Sequence, residues 1–270
     1  MGNLVSVILP VFNGEAYIRD SIQSMIDQSH PLWELLIVND GSTDNTKAVI
    51  QSFSDSRIRY FEHTNQGVSA SRNVGLENMR GDFFTFLDAD DVLPKESLKA
   101  RLDVFAQNPM LAFVDGKVEL VDLASGAPLR TYVPRFSGAP FHELLRINEA
   151  CFCGLTWMIR RLPGKPYRMA GGLTHCEDLL FFLELSRDGG LFQGTEECIL
   201  LYRRRVGSAM SDIKGLDDGY HHIYKLLKTW PQVNFSSRLV FWLKTRKIMF
   251  LSYWFDSRSP RRALASLTRF

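Results

Sequence analysis

The sequence predicts an α/β fold with a mostly parallel central sheet flanked by helices. Short β-branched apolar runs alternate with segments of helical spacing through about the first hundred residues, the pattern of strand–helix–strand units. Each run stops at a polar cluster. The composition of the 270 residues, 45% hydrophobic and 23% charged, supplies enough apolar material for a large core.

Leu4-Val5-Ser6-Val7-Ile8-Leu9-Pro10 is almost continuously apolar, as expected of a strand covered on both faces. Asn13-Gly14-Glu15 turns the chain, and Ile18, Ile22, Met25 and Ile26 recur at helical spacing. Leu35 to Val38 repeats the strand signal. After Asn39-Asp40-Gly41-Ser42, Thr43 or Asp44 can cap a helix holding Val49 and Ile50. Arg57 to Glu62 predicts a third strand, Ser69 to Met79 a third helix, and Phe83 to Leu87 a fourth strand ending at Asp88. The alternation then loosens. Strand-like pieces at 111–121 and 157–159 flank an irregular stretch, Leu179 to Leu185 reads as a helix, and Ile199 to Arg203 reads as a last strand. Beyond Gly215 the pattern is helical, interrupted at Trp230-Pro231. The expected division is a nucleotide-binding half at 1–110, an acceptor-binding and catalytic half at 111–214, and a helical, basic extension at 215–270.

Three strand ends carry the most polar clusters: 10–15, 39–44 and 88–91. In a parallel sheet they meet on one rim, where α/β proteins bind nucleotides. Asp88, Asp90 and Asp91 repel one another unless a cation or hydrogen-bond donors compensate, and Mg2+ or Mn2+ suits such oxygens together with substrate phosphates. Capping of the following helix competes for Asp91. Asp40 at a strand end can accept from a ring N–H, or can serve an Asx-turn or cap.

Ser6 to Glu15, Val38 to Asp44, Ala70-Ser71-Arg72-Asn73-Val74-Gly75 and Leu87-Asp88-Ala89-Asp90-Asp91 together resemble the successive motifs of family 2 glycosyltransferases with the GT-A fold. The resemblance implies an inverting transfer from a nucleotide-diphospho-sugar with a Mg2+ or Mn2+ cofactor. It implies that Pro10, Val11 and Glu15 line the nucleoside pocket and that Asp40 bonds the base, most often uracil. Arg72 and Asn73 would approach the nucleotide or support its loop. Asp88 would serve the ribose or sugar, with the metal as a second option, and Asp90 would bind the metal. Asp178, in the Glu177-Asp178 pair, would be the catalytic base, with Glu177 and His175 toward the acceptor. Capping with dipole stabilisation is the competing role for that pair. Trp157 could stack on a sugar or fill the core. Tyr202 to Ser211 resembles a later segment of the family in which histidine commonly stands where this chain has Arg205. Arginine at 205 suits phosphate through its planar donors, which puts a metal-ligand role there in doubt.

The formal net charge of +2 excludes a whole-chain nucleic-acid footprint. The charge is unevenly spread: residues 238–270 hold eight basic residues and one acid. That tail, with Phe241, Trp242, Ile248, Met249, Phe250, Tyr253, Trp254 and Phe255 broken by Lys244, Arg246 and Lys247, reads as an amphipathic helix for an anionic membrane. A homo-oligomer interface and core packing are the alternatives. Cys151, Cys153, Cys176 and Cys198 lack zinc spacing and read as free thiols. Met1 to Ser6 matches the bare myristoylation pattern, although Val5 to Leu9 reads as core strand. No basic leader precedes the first strand, so a cytoplasmic protein is expected, peripheral on the inner face of the cell membrane and acting on a glycan or lipid-linked acceptor in bacterial surface polysaccharide synthesis. A nucleotidyltransferase and a non-catalytic nucleotide-sugar or glycan-binding module are the rival readings. The first lacks its glycine-rich basic loop after the opening strand.

Overall fold

The structure is a computed structural model that describes residues 3–204 and 212–269. Arg205 and the Met1-Gly2 myristoylation pattern lie outside the described residues. Four strands, β1 (Val5–Val11), β2 (Trp33–Asn39), β3 (Ile58–Glu62) and β4 (Phe83–Phe86), alternate with α1 (Ile18–Ile26), α2 (Thr46–Gln51) and α3 (Val68–Asn78). There follow α4 (Ser97–Gln107), β5 (Leu111–Asp122), β6 (Pro128–Tyr132), β7 (Ser137–Gly138), α5 (Phe141–Leu145), β8 (Met158–Arg160), α6 (Glu177–Ser186) and β9 (Leu191–Arg204). The extension is α7 (Ile213–Leu227), α8 (Phe235–Leu251), a π-helical turn at Ser252–Asp256 and α9 (Pro260–Ser266).

The strands run β3-β2-β1-β4-β8-β5-β9-β7, with β6 paired to β5. The predicted parallel order holds through β3, β2, β1 and β4. The second half is mixed, because three-residue β8 enters antiparallel between β4 and β5 while β9 returns parallel to β5. β8 follows an irregular connection rather than a crossover helix, so nothing forces a parallel entry. Along β1 the side chains alternate between two apolar layers. Ile8 joins Leu36, Phe84 and Phe86 on one face, whereas Val7 and Leu9 join Leu35 and Ile37 on the other. Helices cover both layers, which is why these strands read as unbroken apolar runs.

The first layer continues through Trp157, Phe181 and Phe182 to Phe241, Met249 and Tyr253, so the extension shares a core with the sheet domain. Part of the apolar run of the tail therefore packs inward, as the core-packing alternative expects. Phe241, Met249 and Tyr253 are buried, and Arg246 is buried against Asp217 at 2.8 Å. A helix apolar on two sides cannot be divided by periodicity alone. Among the described residues no helix is long and apolar enough to cross a membrane.

Candidate active site

The register Val11↔Asn39 brings the ends of β1 and β2 level, and their two loops are laced together. Ser42 Oγ accepts from Asn13 N–H at 2.9 Å, Thr46 Oγ1 from Gly14 N–H at 2.8 Å, and the Glu15 carboxylate from the Asn45 backbone and side-chain N–H at 3.1 and 2.9 Å. Each bond removes a backbone donor from competition with water, so the two loops form one ledge. Asp40 is buried, with one oxygen accepting from Gln66 N–H at 2.8 Å and the other from Gly67 N–H at 2.9 Å. The side-chain bond that holds this turn comes from Asn39 rather than Asp40: its Oδ1 accepts from the Ser42 N–H, three residues on, at 3.0 Å. Gly41 has φ of 71°, and a Cβ there would lie 2.9 Å from the Asn65 nitrogen. Its close approach is therefore to the 63–67 loop that Asp40 holds.

The acid loop after β4 is fastened from behind. Ser21 Oγ donates to the carbonyls of Ala89 and Asp91, each at 2.7 Å, and Val92 bridges Leu201 on β9. Arg203 donates its backbone N–H to Asp91 Oδ1 at 2.8 Å, its Nε to the Asp90 carbonyl and its Nη1 to Asp20 at 2.7 Å. This role of Arg203 was missed from sequence, although the run 203–205 signalled a basic strand end. Asp91 is correspondingly structural, though not as a cap: α4 starts at Ser97 and its N-cap Glu96 makes no side-chain cap bond. Burial first, and then the charge of Asp88, push the Asp91 carboxyl well above the usual carboxylate range.

Asp88 keeps 42% of its side chain exposed and receives Arg72 Nη2 at 2.9 Å. The same guanidinium, only 5% exposed, gives Nη1 to Glu177 at 3.0 Å. Glu177 and Asp178 open α6 after Cys176, which takes the left-handed conformation and makes no side-chain cap bond. Neither acid is the N-cap, although both lie in the first turn, where the helix dipole favours a carboxylate. Asp178 Oδ1 accepts from the Leu179 N–H at 2.7 Å. Burial, with repulsion from Glu177 second, pushes the Asp178 carboxyl up to about 6, against the pull of Arg72. Asp88 and Glu177, the neighbour of the predicted base, thus meet at one cation from opposite halves of the chain.

Residues 6–162 match the family model of glycosyl transferase family 2. The chain belongs to glycosyl transferase family 2. It is 36% identical over 204 residues to TuaG, the Bacillus subtilis glycosyltransferase assigned to teichuronic acid biosynthesis, covering 74% of this chain and 79% of the relative. It is 31% identical over 192 residues, 70% of this chain and 72% of the relative, to Escherichia coli WfgD, a UDP-Glc:alpha-D-GlcNAc-diphosphoundecaprenol beta-1,3-glucosyltransferase. Among solved structures, Staphylococcus aureus TarS 1–349 in complex with UDP-GlcNAc superposes with a TM-score of 0.76, at 19% identity, over 97% of this chain and 78% of that one. At that identity the likeness shows the GT-A fold.

Within this glycosyltransferase the remaining predicted positions separate. Pro10 and Val11 are buried at the end of β1, and the side chain turned outward there is Phe12, 50% exposed, to which the sequence reading assigned no role. Asn73 is buried and clamps the backbone of Met169, Nδ2 to the carbonyl at 3.0 Å and Oδ1 to the N–H at 2.7 Å. Trp157 is a correction. It is fully buried, stacked on Phe182 with centroids 4.2 Å apart, and its Nε1 donates to Cys151, so no sugar reaches it. His175 is half-buried, its Nδ1 3.1 Å from Thr174 Oγ1, and lies against α7 at Gly215.

Asp88 and Asp90 fit a divalent cation in one specific sense. Among the described residues no three acids, histidines or cysteines cluster to hold a metal by themselves. Mg2+ and Mn2+ at phosphates commonly take one or two carboxylates and complete their shell with phosphate oxygens and water. A partly exposed pair beside buried Asp91 is such an incomplete, oxygen-only set.

Proposed function

We propose that this chain is an inverting glycosyltransferase that uses a UDP-linked sugar and a divalent metal to extend a glycan or lipid-linked acceptor in bacterial surface polysaccharide synthesis, at the inner face of the cell membrane. The observation that carries this reading is the Asp88–Arg72–Glu177 bridge, which ties the acid loop after β4 to the residue that precedes Asp178. The substrates named for WfgD, the teichuronic acid role assigned to TuaG and the UDP-GlcNAc bound by TarS support the choice of donor and acceptor class.

In this mechanism the laced loops of β1 and β2 seat the nucleotide, with Glu15 and Asp40 on its nucleoside side and Phe12 presenting an apolar ring. Asp40 uses lone pairs left after it accepts from Gln66 and Gly67. Asp88 and Asp90 hold the cation, which when bound stabilises negative charge on the departing diphosphate. Arg205 adds a planar donor set for phosphate. Asp178 accepts the proton of the acceptor hydroxyl as its oxygen bonds to the anomeric carbon. The bond from that carbon to the diphosphate oxygen breaks on the opposite face, which inverts the configuration. Glu177, held by Arg72, flanks the acceptor together with His175.

The test is transfer from a panel of nucleotide-sugars with Mn2+, the anomeric configuration of the product being read by NMR. The expected result is transfer or slow hydrolysis with a UDP-sugar and inverted product, lost in Asp178→Asn while UDP still binds. Retained configuration, full activity of Asp178→Asn, or nucleotide-sugar binding without turnover would each sink the reading.

A further inference from the structure

We propose that the outward face of α8 and the turn that follows it form a docking surface for an anionic lipid bilayer. α8 is apolar on two sides. Phe241, Thr245, Arg246 and Met249 point into the protein. Positions 239, 243, 247, 250 and 254 step by three and four residues along the opposite side, one stripe of the helix. Leu239, Leu243 (53% exposed) and Lys247 stand on it, and Trp254 (42% exposed) stacks on Phe250 with centroids 5.6 Å apart. Val240 and Leu251 widen the stripe, and Phe255 beyond it is 68% exposed.

The charges divide the same way. Arg246 and Arg269 are spent inward, both on Asp217 at 2.8 and 2.9 Å. Lys244, Lys247, Arg258, Arg261 and Arg262 are exposed, and among the described residues none of the five makes an ion pair. Asp256 is the one acid of residues 238–270. A second copy docked on α8 would set Lys244 and Lys247 against the same two cations. An anionic bilayer supplies the opposite sign, lets Trp254 and Phe255 enter at headgroup depth, and lets Lys244 and Lys247 lie along the surface with their ammonium groups in water.

Through its inner side, α8 is also linked to the segment that carries the predicted base. α7 packs on α8, and at Gly219 it touches the carbonyl of His175, three residues before Asp178. The value of such docking for a lipid-linked acceptor rests on the proposed function; the binding itself does not, and it is measured without donor or acceptor.

The experiment is co-sedimentation of the full chain with phosphatidylglycerol-containing vesicles and with pure phosphatidylcholine vesicles. Deleting the tail is unsuitable because Phe241 and Arg246 belong to the core. Binding is expected to the anionic vesicles only, weakening as salt rises past about 0.1 M. Lys244→Gln with Lys247→Gln, and separately Leu243→Asn with Trp254→Ser, should each lower the partition coefficient at least about tenfold while the melting temperature stays put. Binding to neither vesicle, equal binding to both, or wild-type binding by both folded variants overturns the proposal. So does a concentration-dependent dimer that buries Trp254 and is unaffected by vesicles.

Discussion

Arg72 Nη1 donates to Glu177 at 3.0 Å across 105 residues of sequence, and Nη2 of the same side chain donates to Asp88 at 2.9 Å. Two buried-edge carboxylates from different halves are thereby oriented by one rigid fork. Lysine keeps the charge but cannot present two fixed donors. Arg72→Lys is expected to lower kcat by about a hundredfold with a smaller change in donor KM, because misplacement of reacting groups by about 1 Å costs on that order. Steady-state kinetics of transfer check it; a pure KM effect would place Arg72 in donor binding alone.

The raised Asp178 carboxyl sets the direction of the pH profile. A base must be ionised, and burial beside Glu177 holds this one protonated up to about pH 6. kcat/KM should therefore climb about tenfold per pH unit below 6 and level off above it. In Glu177→Gln the repelling charge is gone, so the acid limb should move to lower pH. A limb left in place would remove Asp178 as its origin.

Asp115 on β5 is fully buried, both its oxygens lack a hydrogen-bond partner among the described residues, and burial pushes its carboxyl up to about 7. The folded pKa lies above the unfolded one, so this group's stabilising contribution is complete below about pH 4 and is lost as pH rises toward 7. Asp115→Asn should flatten that part of the stability curve, by up to about 4 kcal/mol between the two limits. Urea unfolding at pH 5 and pH 8 for both proteins measures the difference. An identical slope would show that Asp115 does not titrate on folding.

Gly219 ties the extension to the catalytic turn. A Cβ there would lie 2.5 Å from the His175 carbonyl and 3.0 Å from Cys176 Sγ. Backbone cannot yield as a flexible side chain can, so Gly219→Ala should destabilise by about 1–3 kcal/mol and, by shifting the start of α6, depress kcat. Thermal melts and kinetics test both, with Gly171→Ala, where an added Cβ meets nothing within 4 Å, as the control.

The amino-acid sequence by itself determined the α/β alternation, the positions of β1 to β4 and the gathering of three polar clusters on one rim. Those follow from local periodicity and from strands being covered on both faces, and both are written in neighbouring residues. Asp40, Arg72, Asp88 and Asp178 were singled out by the resemblance of their segments to family motifs, not by periodicity. Tertiary structure alone decided what long-range partners decide. It joined Arg72 to Glu177, gave Asp91 to Arg203 rather than to a helix end, committed Asn73 to Met169 and sealed Trp157 under Phe182. It also split the apolar tail into an inner side that completes the core and an outer side with unpaired cations. A residue type states which bonds a side chain is able to make; only the packing of distant segments fixes which of them it makes.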